Sequence, residues 1–335
     1  MRRFVFFIIF AFCYTFAASA QGTDHFTAVL QHGSDVSFYK GSTAFQQAYD
    51  AAVDGDVIIL SEGTFQPVSR IEKSLSIYGA GFENNPETNT AVTAISGEQK
   101  VGKTGGETLD GFHIEGIKIM GNMNFDLSEL KNANIMKCYI TGSVYFKKNI
   151  ENVVVKQCRI GDSVFGQTDF VANGLFLTNC YVAGNARTFS YDSFVQIDHC
   201  YVAQYGGNDK AKIILTNTII GGSSFYGASG IAPYSTIENC IVFSNAGEFP
   251  YYSLVGIYHS VDLATIFADA DNANYSETRT FELKDPNTYQ GTDGTPIGPA
   301  GGEGWNKVPA KPSIANFNTS VSGTYLNVTY DADVK

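Results

Sequence analysis

The amino-acid sequence predicts an all-β protein, a solenoid of the parallel β-helix type. Three observations indicate this: a short repeat, the spacing inside each copy, and the corner that this spacing requires. Between residues 135 and 242, six copies read apolar, any, polar, Cys or Thr, any, apolar. Their centres recur at spacings of 20, 22, 20, 18 and 22, at Cys138, Cys158, Cys180, Cys200, Thr218 and Cys240. A repeat this short cannot bury its own apolar face, so neighbouring copies must stack.

Each copy must also contain a sharp bend. Inward side chains of a strand are two positions apart, whereas Leu177 and Cys180 are three apart. The bend falls on the polar residue before the centre, which is Asn179, Asn217 or Asn239 in three copies, and Asn tolerates left-handed backbone geometry. Two short strands therefore meet at a tight corner, and the Gly-containing stretch that follows has room for a third strand.

The repeat extends in both directions with weaker residues. Ile117 and Ser260 lie about one period outside the first and last centres, and His199 and His259 occupy the corner position of the Asn residues. Further apolar runs lie at residues 57–60, 75–77 and 92–95. A leucine-rich repeat has a similar period, but its L-x-x-L-x-L-x-x-N phrase is absent. We therefore expect about ten or eleven coils in one domain over residues 55–265.

Residues 1–20 have the pattern of a secretory signal peptide. Arg2 and Arg3 precede an apolar run, and Ala18-Ser19-Ala20 matches an A-x-A cleavage site. The run is too short to span a membrane, so we expect a secreted, periplasmic or cell-surface protein without a transmembrane segment after cleavage. The net charge of −11 becomes about −13 in the mature chain, which argues against nucleic acid as a partner.

Five cysteines remain in the mature chain. Export favours disulfides, but stacking in register makes the Cβ vectors parallel, which is unsuited to a bridge. We expect a buried file of free thiols that act as small hydrophobic side chains, with a disulfide or a metal site as the alternatives.

Different elements are expected at the two ends of the solenoid. Residues 21–54 include a helical pattern with Ser42 as N-cap and Gly55 as its end, which would cap the open first coil. Residues 266–312 lose the period and form an irregular extension. Residues 313–335 regain strand-like alternation and form a short tail or cap.

Two segments carry a resemblance to a known superfamily. Residues 44–65, AFQQAYDAAVDGDVIILSEGTF, and residues 73–81, KSLSIYGAG, resemble the opening of pectate-lyase-like right-handed parallel β-helix proteins. Residues 291–298, GTDGTPIG, are similar to a tail of secreted and surface β-helix proteins of Bacteroidetes, many of unknown function. The resemblance implies a single-stranded right-handed β-helix that binds or cleaves polysaccharide. The D-D and G-H-G phrases of polygalacturonase-like members are absent, which argues against that hydrolase chemistry.

Enzymes of this superfamily bind sugar chains along one outer strand face and the loops beside it, and the corresponding region here follows each repeat centre. Arg187 is our candidate base or charge clamp for proton abstraction next to a uronate carboxyl. Asp162, Asp169 and Asp192 are the candidate ligands for Ca²⁺, since hard cations prefer carboxylate oxygens. The alternative is that these are ordinary solvated loop charges.

Aromatic residues accompany these charges in nearly every coil, among them Tyr145 and Phe165. An exposed aromatic strip can stack on the apolar faces of sugar rings. We expect most of the Phe side chains to pack inward and assign substrate binding to Tyr191, Tyr205, Tyr226, Tyr251 and Tyr252. The His residues have no triad-like partner, so nucleophilic hydrolysis is not expected.

Two functions remain open from the sequence. The first is an exported polysaccharide-interacting protein, either carbohydrate-binding or a divergent polysaccharide lyase that uses Ca²⁺. The second is a non-catalytic structural or adhesive cell-surface protein. In either case we expect a monomer, and a fold alone does not choose between the two.

Overall fold

A parallel β-solenoid forms the body of the protein, as the repeat predicts. The computed structural model describes residues 26–84, 91–167, 170–187, 192–206, 212–221, 236–242, 253–309, 312–322 and 325–334. Within these residues the chain is mostly β, with two helices, and parallel sheets stack into a solenoid of about seven turns.

The first sheet contains one strand from each coil and begins with an N-terminal hairpin. Its main path, in spatial order, is β2 (Asp35–Lys40), β1 (Thr27–His32), β3 (Val57–Leu60), β5 (Ser76–Tyr78), β9 (His113–Glu115), β13 (Asn134–Met136), β16 (Ile150–Lys156), β19 (Ala172–Thr178), β21 (Phe194–Asp198), β23 (Lys212–Thr216), β25 (Thr236–Glu238) and β27 (Ser253–Val255). Two short strands, β8 (Leu109–Asp110) and β12 (Leu130–Lys131), join its side through β16.

The second sheet contains the strand that follows the corner. Its main path is β4 (Gly63–Phe65), β6 (Thr93–Ile95), β10 (Lys118–Ile119), β14 (Tyr139–Ile140), β17 (Arg159–Ile160), β20 (Tyr181–Arg187), β22 (Tyr201–Gly206), β24 (Ile219–Ile220), β26 (Ile241–Val242) and β28 (Tyr258–His259). A third ladder joins its side through the end of β20 and contains β7 (Gln99–Val101), β11 (Met123–Phe125), β15 (Val144–Phe146) and β18 (Val164–Gly166).

The number of coils has two measures. Ten strands, from β3 to β27, follow one another in parallel along the first sheet. The described residues form about seven turns, below the expected ten or eleven coils. Several connections between consecutive strands of the first sheet lie outside the described residues. The number of turns that the described residues complete is therefore smaller than the number of stacked strands.

The predicted corner is confirmed. One residue between the first and second sheets has a left-handed φ of 46° to 53° in each of six coils, and these residues are Lys137, Gln157, Asn179, His199, Asn217 and Asn239. The expectation for the last coil was wrong. His259 pairs with Val242 inside β28, so Gly256 takes the corner and Ile257 takes the central position. The spacing from Cys240 to the next centre is shorter than the average period, so the true centre, Ile257, lies three residues before the expected Ser260.

The core is a column of buried apolar side chains inside the coils. The expected free thiols are confirmed: all five described cysteines are unpaired and fully buried. Val153 and Val155 of β16 also point inward, and the rings of Phe125, Phe146 and Phe170 stack in sequence at 5.1 and 5.6 Å. Branched and aromatic side chains suit this pleated, half-buried geometry.

A hairpin and a helix together cover the N-terminal end. Strand β1 pairs antiparallel with β3, so β2 becomes the outermost strand of the first sheet. Helix α1 (Ala44–Ala51) packs its apolar face against this end. Its N-cap is Thr43, not the predicted Ser42, because a turn in which the Ala44 amide donates to the Gly41 carbonyl delays the helix by one residue. It also ends before the predicted stop at Gly55.

The chain after the last coil returns along the solenoid. Helix α2 (Leu263–Ile266) and the following residues cover the outer face of the second sheet, where Phe267, Phe281 and Ile297 pack with Tyr181 and Tyr201. Residues 290–309, which we call the strap, then run along the corner towards the first coils. The chain continues into an antiparallel hairpin of β29 (Pro312–Ser322) and β30 (Tyr325–Val334). Neither described helix is long and apolar enough to cross a membrane.

Candidate functional site

The third ladder carries the candidate site, because its backbone register separates two rows of residues. Its inward row is fully buried and contains Met123, Val144, Val164 and Ala186. The alternate row contains Lys100, Asn124, Tyr145, Phe165 and Arg187. We call this second row the third-ladder face. It includes the predicted catalytic residue Arg187. Its two aromatic members were not assigned to substrate binding from the sequence, and Phe165, as a Phe position, was expected to pack inward, whereas its side chain is partly exposed.

An aromatic pair forms the centre of the third-ladder face. The rings of Tyr145 and Phe165 stack with centroids 4.5 Å apart and an interplanar angle of 27°. Both side chains are partly exposed, unlike Phe146 next to them, which is fully buried. Two stacked and partly exposed rings on adjacent coils form an apolar patch at the surface, which we call the platform.

Charged side chains flank this platform. The Lys147 ammonium lies 5.7 Å from the centroid of the Tyr145 ring and 3.8 Å from Oδ2 of Asp126. Asp126 is buried and is also bound by the guanidinium of Arg70. Arg70 and Lys147 share the single carboxylate of Asp126, so the three groups together have a net positive charge. Because Lys147 is 41% exposed, its ammonium can also contact a negative group from solvent. No local pattern predicts the Arg70–Asp126 pair, because its members are 56 positions apart.

In the backbone register, Arg187 is the last residue of the third-ladder face. It pairs in register with Phe165 on one side and with Gly206 on the other. Tyr205 pairs with Ala186, so its backbone lies in the row of buried Val164 and not in the row of Phe165. The two predicted site residues therefore occupy neighbouring rows of one ladder.

Of the three predicted Ca²⁺ ligands, Asp162 has the best-defined surroundings. Its Oδ2 accepts a hydrogen bond from the Ser143 hydroxyl at 2.9 Å, and its Oδ1 accepts one from the Ser163 hydroxyl at 3.0 Å. Asp192 is exposed in the turn before β21. Asp169 lies outside the described residues, as do Tyr191, Tyr226, Tyr251 and Tyr252. In the described part of the chain, no three His, Cys, Asp or Glu side chains form a group suited to a metal ion.

A second polar cluster lies on the outer face of the first sheet. Glu115 is 3.4 Å from His113 and 3.6 Å from Lys137, and the His113 ring lies 5.0 Å from that of Tyr78. Burial raises the pKa of Tyr78, and the charge of Glu115 raises it further. Because Glu115 is only 5% exposed, a substrate cannot reach its carboxylate, which makes this cluster a weaker candidate.

Comparison of the chain with protein-family models, curated proteins and solved structures finds no match. The resemblance to pectate-lyase-like proteins therefore remains a prediction, and the solenoid fold is what the structure establishes.

Proposed function

We propose that this protein is exported and binds polysaccharide along the third-ladder face, either as a carbohydrate-binding protein or as a divergent polysaccharide lyase. The observation that supports this is the stacked, partly exposed pair Tyr145 and Phe165 with the Lys147 ammonium beside it. A sugar ring can place its apolar C–H face on such a platform while a cation contacts its polar edge.

The lyase form of the proposal assigns roles to the residues at the end of the row. Arg187 acts as the base or as the clamp on a uronate carboxyl, one coil from Phe165. Asp162, Asp169 and Asp192 supply oxygens for Ca²⁺, which would neutralise the same carboxyl. The spare lone pairs of the Asp162 carboxylate remain compatible with that role.

The binding proposal is tested with glycan arrays followed by titration of any glycan that binds. Replacing Tyr145 or Phe165 with Ala should weaken binding roughly tenfold, about 1.4 kcal/mol, because each ring supplies half of the platform. Phe38→Ala is the matched control, since Phe38 is a 52% exposed aromatic residue on β2, outside the third ladder. Equal affinity for the wild type and both platform variants would contradict the proposed face.

The lyase form needs a separate measurement. Incubation with uronate polymers and Ca²⁺ should release unsaturated products that absorb in the ultraviolet, and Arg187→Ala should abolish them while binding persists. A blank assay alongside measurable binding would leave a carbohydrate-binding protein and rule out the lyase.

One observation favours the adhesive alternative. Strands β29 and β30 form a two-stranded sheet that pairs with no other described strand. In its backbone register Phe317 pairs with Tyr330 and Val321 pairs with Leu326. An isolated hairpin is marginally stable in water, which favours a partner surface. Blank glycan arrays, together with loss of cell-surface attachment on deletion of residues 310–335, would support this alternative.

A further inference from the structure

Side chains at the corners of the coils hold the strap by hydrogen bonds. The strap runs antiparallel to the order of the coils, so later strap residues meet earlier corners. Asn239 donates to the Gln290 carbonyl at 3.1 Å, and Asn179 donates to the carbonyls of Pro299 at 2.9 Å and Gly301 at 2.6 Å. Asn217 and Gln157 make similar amide contacts. Amides do not titrate, so these fastenings are independent of pH.

One corner side chain in this series is different. His199 is buried, and its Nδ1 lies 3.1 Å from Oδ2 of Asp198, the preceding residue. Its Nε2 lies 3.0 Å from the Thr295 hydroxyl and 3.5 Å from Oδ1 of Asp293, both on the strap. The imidazole therefore lies between a carboxylate of the solenoid and a carboxylate of the strap.

The hydrogen bonds around His199 require protons on both ring nitrogens. Asp198 only accepts, so Nδ1 must donate to it. The Thr295 hydroxyl lies 2.9 and 3.0 Å from the two oxygens of Asp293 and gives its single hydrogen to that carboxylate. The Gly302 amide donates to the same hydroxyl oxygen at 2.6 Å, so this oxygen acts as an acceptor and Nε2 must donate to it as well. A neutral ring would leave Nε2 in competition with Asp293 for the Thr295 hydrogen.

We propose that His199 is a pH-sensitive fastener of the strap. With both nitrogens protonated, it links Asp198 on the solenoid to Thr295 and Asp293 on the strap. Loss of one proton removes the charge and one donor, and the strap loosens at this corner. The groups that face the ring are Asp198 from its own corner and Asp293, Thr295 and Gly302 from the strap.

The two carboxylates are ionised where the fastener operates. Burial raises the pKa of Asp198, but hydrogen bonds from His199, Thr216 and Asn217 outweigh it and lower the net value. Partial burial also raises the pKa of Asp293, but hydrogen bonds from Thr295 and the charge of His199 stabilise the carboxylate, and the net pKa is lowered. Both therefore lose their charge only in acid, so the fastening should be strongest between the acid range and the range in which imidazole loses its proton.

Trp305 provides the measurement. It is the only tryptophan in the chain, and it lies in the strap against Phe281 at 5.6 Å and Tyr275 at 6.4 Å. Its fluorescence therefore reports on the packing of the strap against Phe281 and Tyr275. In the wild-type protein, the emission should move to longer wavelength over a pH series from acid to alkaline, when the His199 ring gives up one of its two protons.

His199→Asn is the decisive variant, because Asn is the native residue at three equivalent corners, with φ of 47° to 51°. Its fluorescence should not change over the same range. His113→Gln is the matched control and should retain the wild-type titration, since His113 lies on the first sheet and not at the corner. If His199→Asn fails to fold, Thr295→Val removes the acceptor of Nε2 and should also flatten the curve. A flat wild-type curve, or the same curve in the wild type and either fastener variant, would overturn the proposal.

Discussion

The backbone nitrogen of Cys138 lies 3.4 Å from the Sγ atom of Cys158, one coil further along the solenoid. The same relationship joins Cys180 to Cys200. The Sγ atoms of Cys158 and Cys200 also lie 3.3 and 3.2 Å from the backbone carbonyl oxygen two residues before them, so each sulfur accepts from the preceding coil and donates within its own. The thiol file is therefore a chain of weak hydrogen bonds as well as a column of small hydrophobic groups.

Position 200 should accept Thr better than Val. Thr218 already fills the equivalent place one coil later, where its hydroxyl accepts from the Cys200 amide at 3.2 Å and donates to the Thr216 carbonyl at 2.7 Å. Val has the same shape without these bonds and leaves the Cys180 amide unpaired. We expect Cys200→Val to be less stable than Cys200→Thr by about 1–3 kcal/mol in urea unfolding. Equal stabilities would show that packing alone matters at this position.

The thiols should be unreactive in the native protein. All five described cysteines are fully buried, and burial raises the pKa of Cys240 to about 12 and that of Cys200 well above its usual value. Ellman titration of protein without residues 1–20 should find almost no thiol when native and five when denatured without reductant. Three or fewer in the denatured protein would indicate disulfides. Fast reaction of the native protein would contradict the burial.

Two variants of Asn179 separate corner geometry from strap binding. Asn179→Gly keeps the left-handed φ of 49° but loses both hydrogen bonds to the strap, whereas Asn179→Ala loses the bonds and also strains the backbone. We expect Ala to be less stable than Gly by about 1–3 kcal/mol, measured by urea unfolding. If Gly were the worse of the two, the side-chain-free corner would be too flexible and strain would not dominate.

Asp198 should contribute stability that acid removes. Its folded pKa lies below the unfolded value, so the carboxylate favours the folded state above the unfolded pKa and loses this effect as pH falls through the folded one. Asp198→Asn should therefore be less stable than wild type at neutral pH, and the difference should shrink in strong acid. Urea unfolding at a series of pH values measures this, and a constant difference would argue against ionisation as the cause.

The sequence predicts the solenoid well because each coil repeats the same local problem. The three-residue step from Leu177 to Cys180 requires a corner, and the structure places Asn179 there with a left-handed backbone. The prediction failed where the repeat became irregular. The sequence spacing from Cys240 to Ile257 is shorter than the period, so a fixed period predicts Ser260 at the centre, whereas the register places Ile257 there.

The strap could not be predicted because no period links it to the coils. The Asn179 side chain meets Pro299 across 120 positions, and Lys307 meets Glu83 across 224. Such contacts depend on the path of an irregular segment, and local sequence patterns do not encode that path. The candidate site was predicted in part. The aromatic residues after each centre were expected, but which of them stack outward depended on the alternation of Val144, Tyr145 and Phe146 within a three-residue strand.

The reverse course of the strap also constrains how the gene for this protein can change. Successive strap residues meet successive corners, from Gln290 at Asn239 to Gly304 at Gln157. Insertion or loss of one coil between these corners would shift every later contact by a coil height, unless the strap changed length in the same step. The length of the strap is therefore matched to the number of coils between these corners. Duplication of a single repeat, the usual way in which solenoids lengthen, would break strap contacts in this stretch and so destabilise the protein.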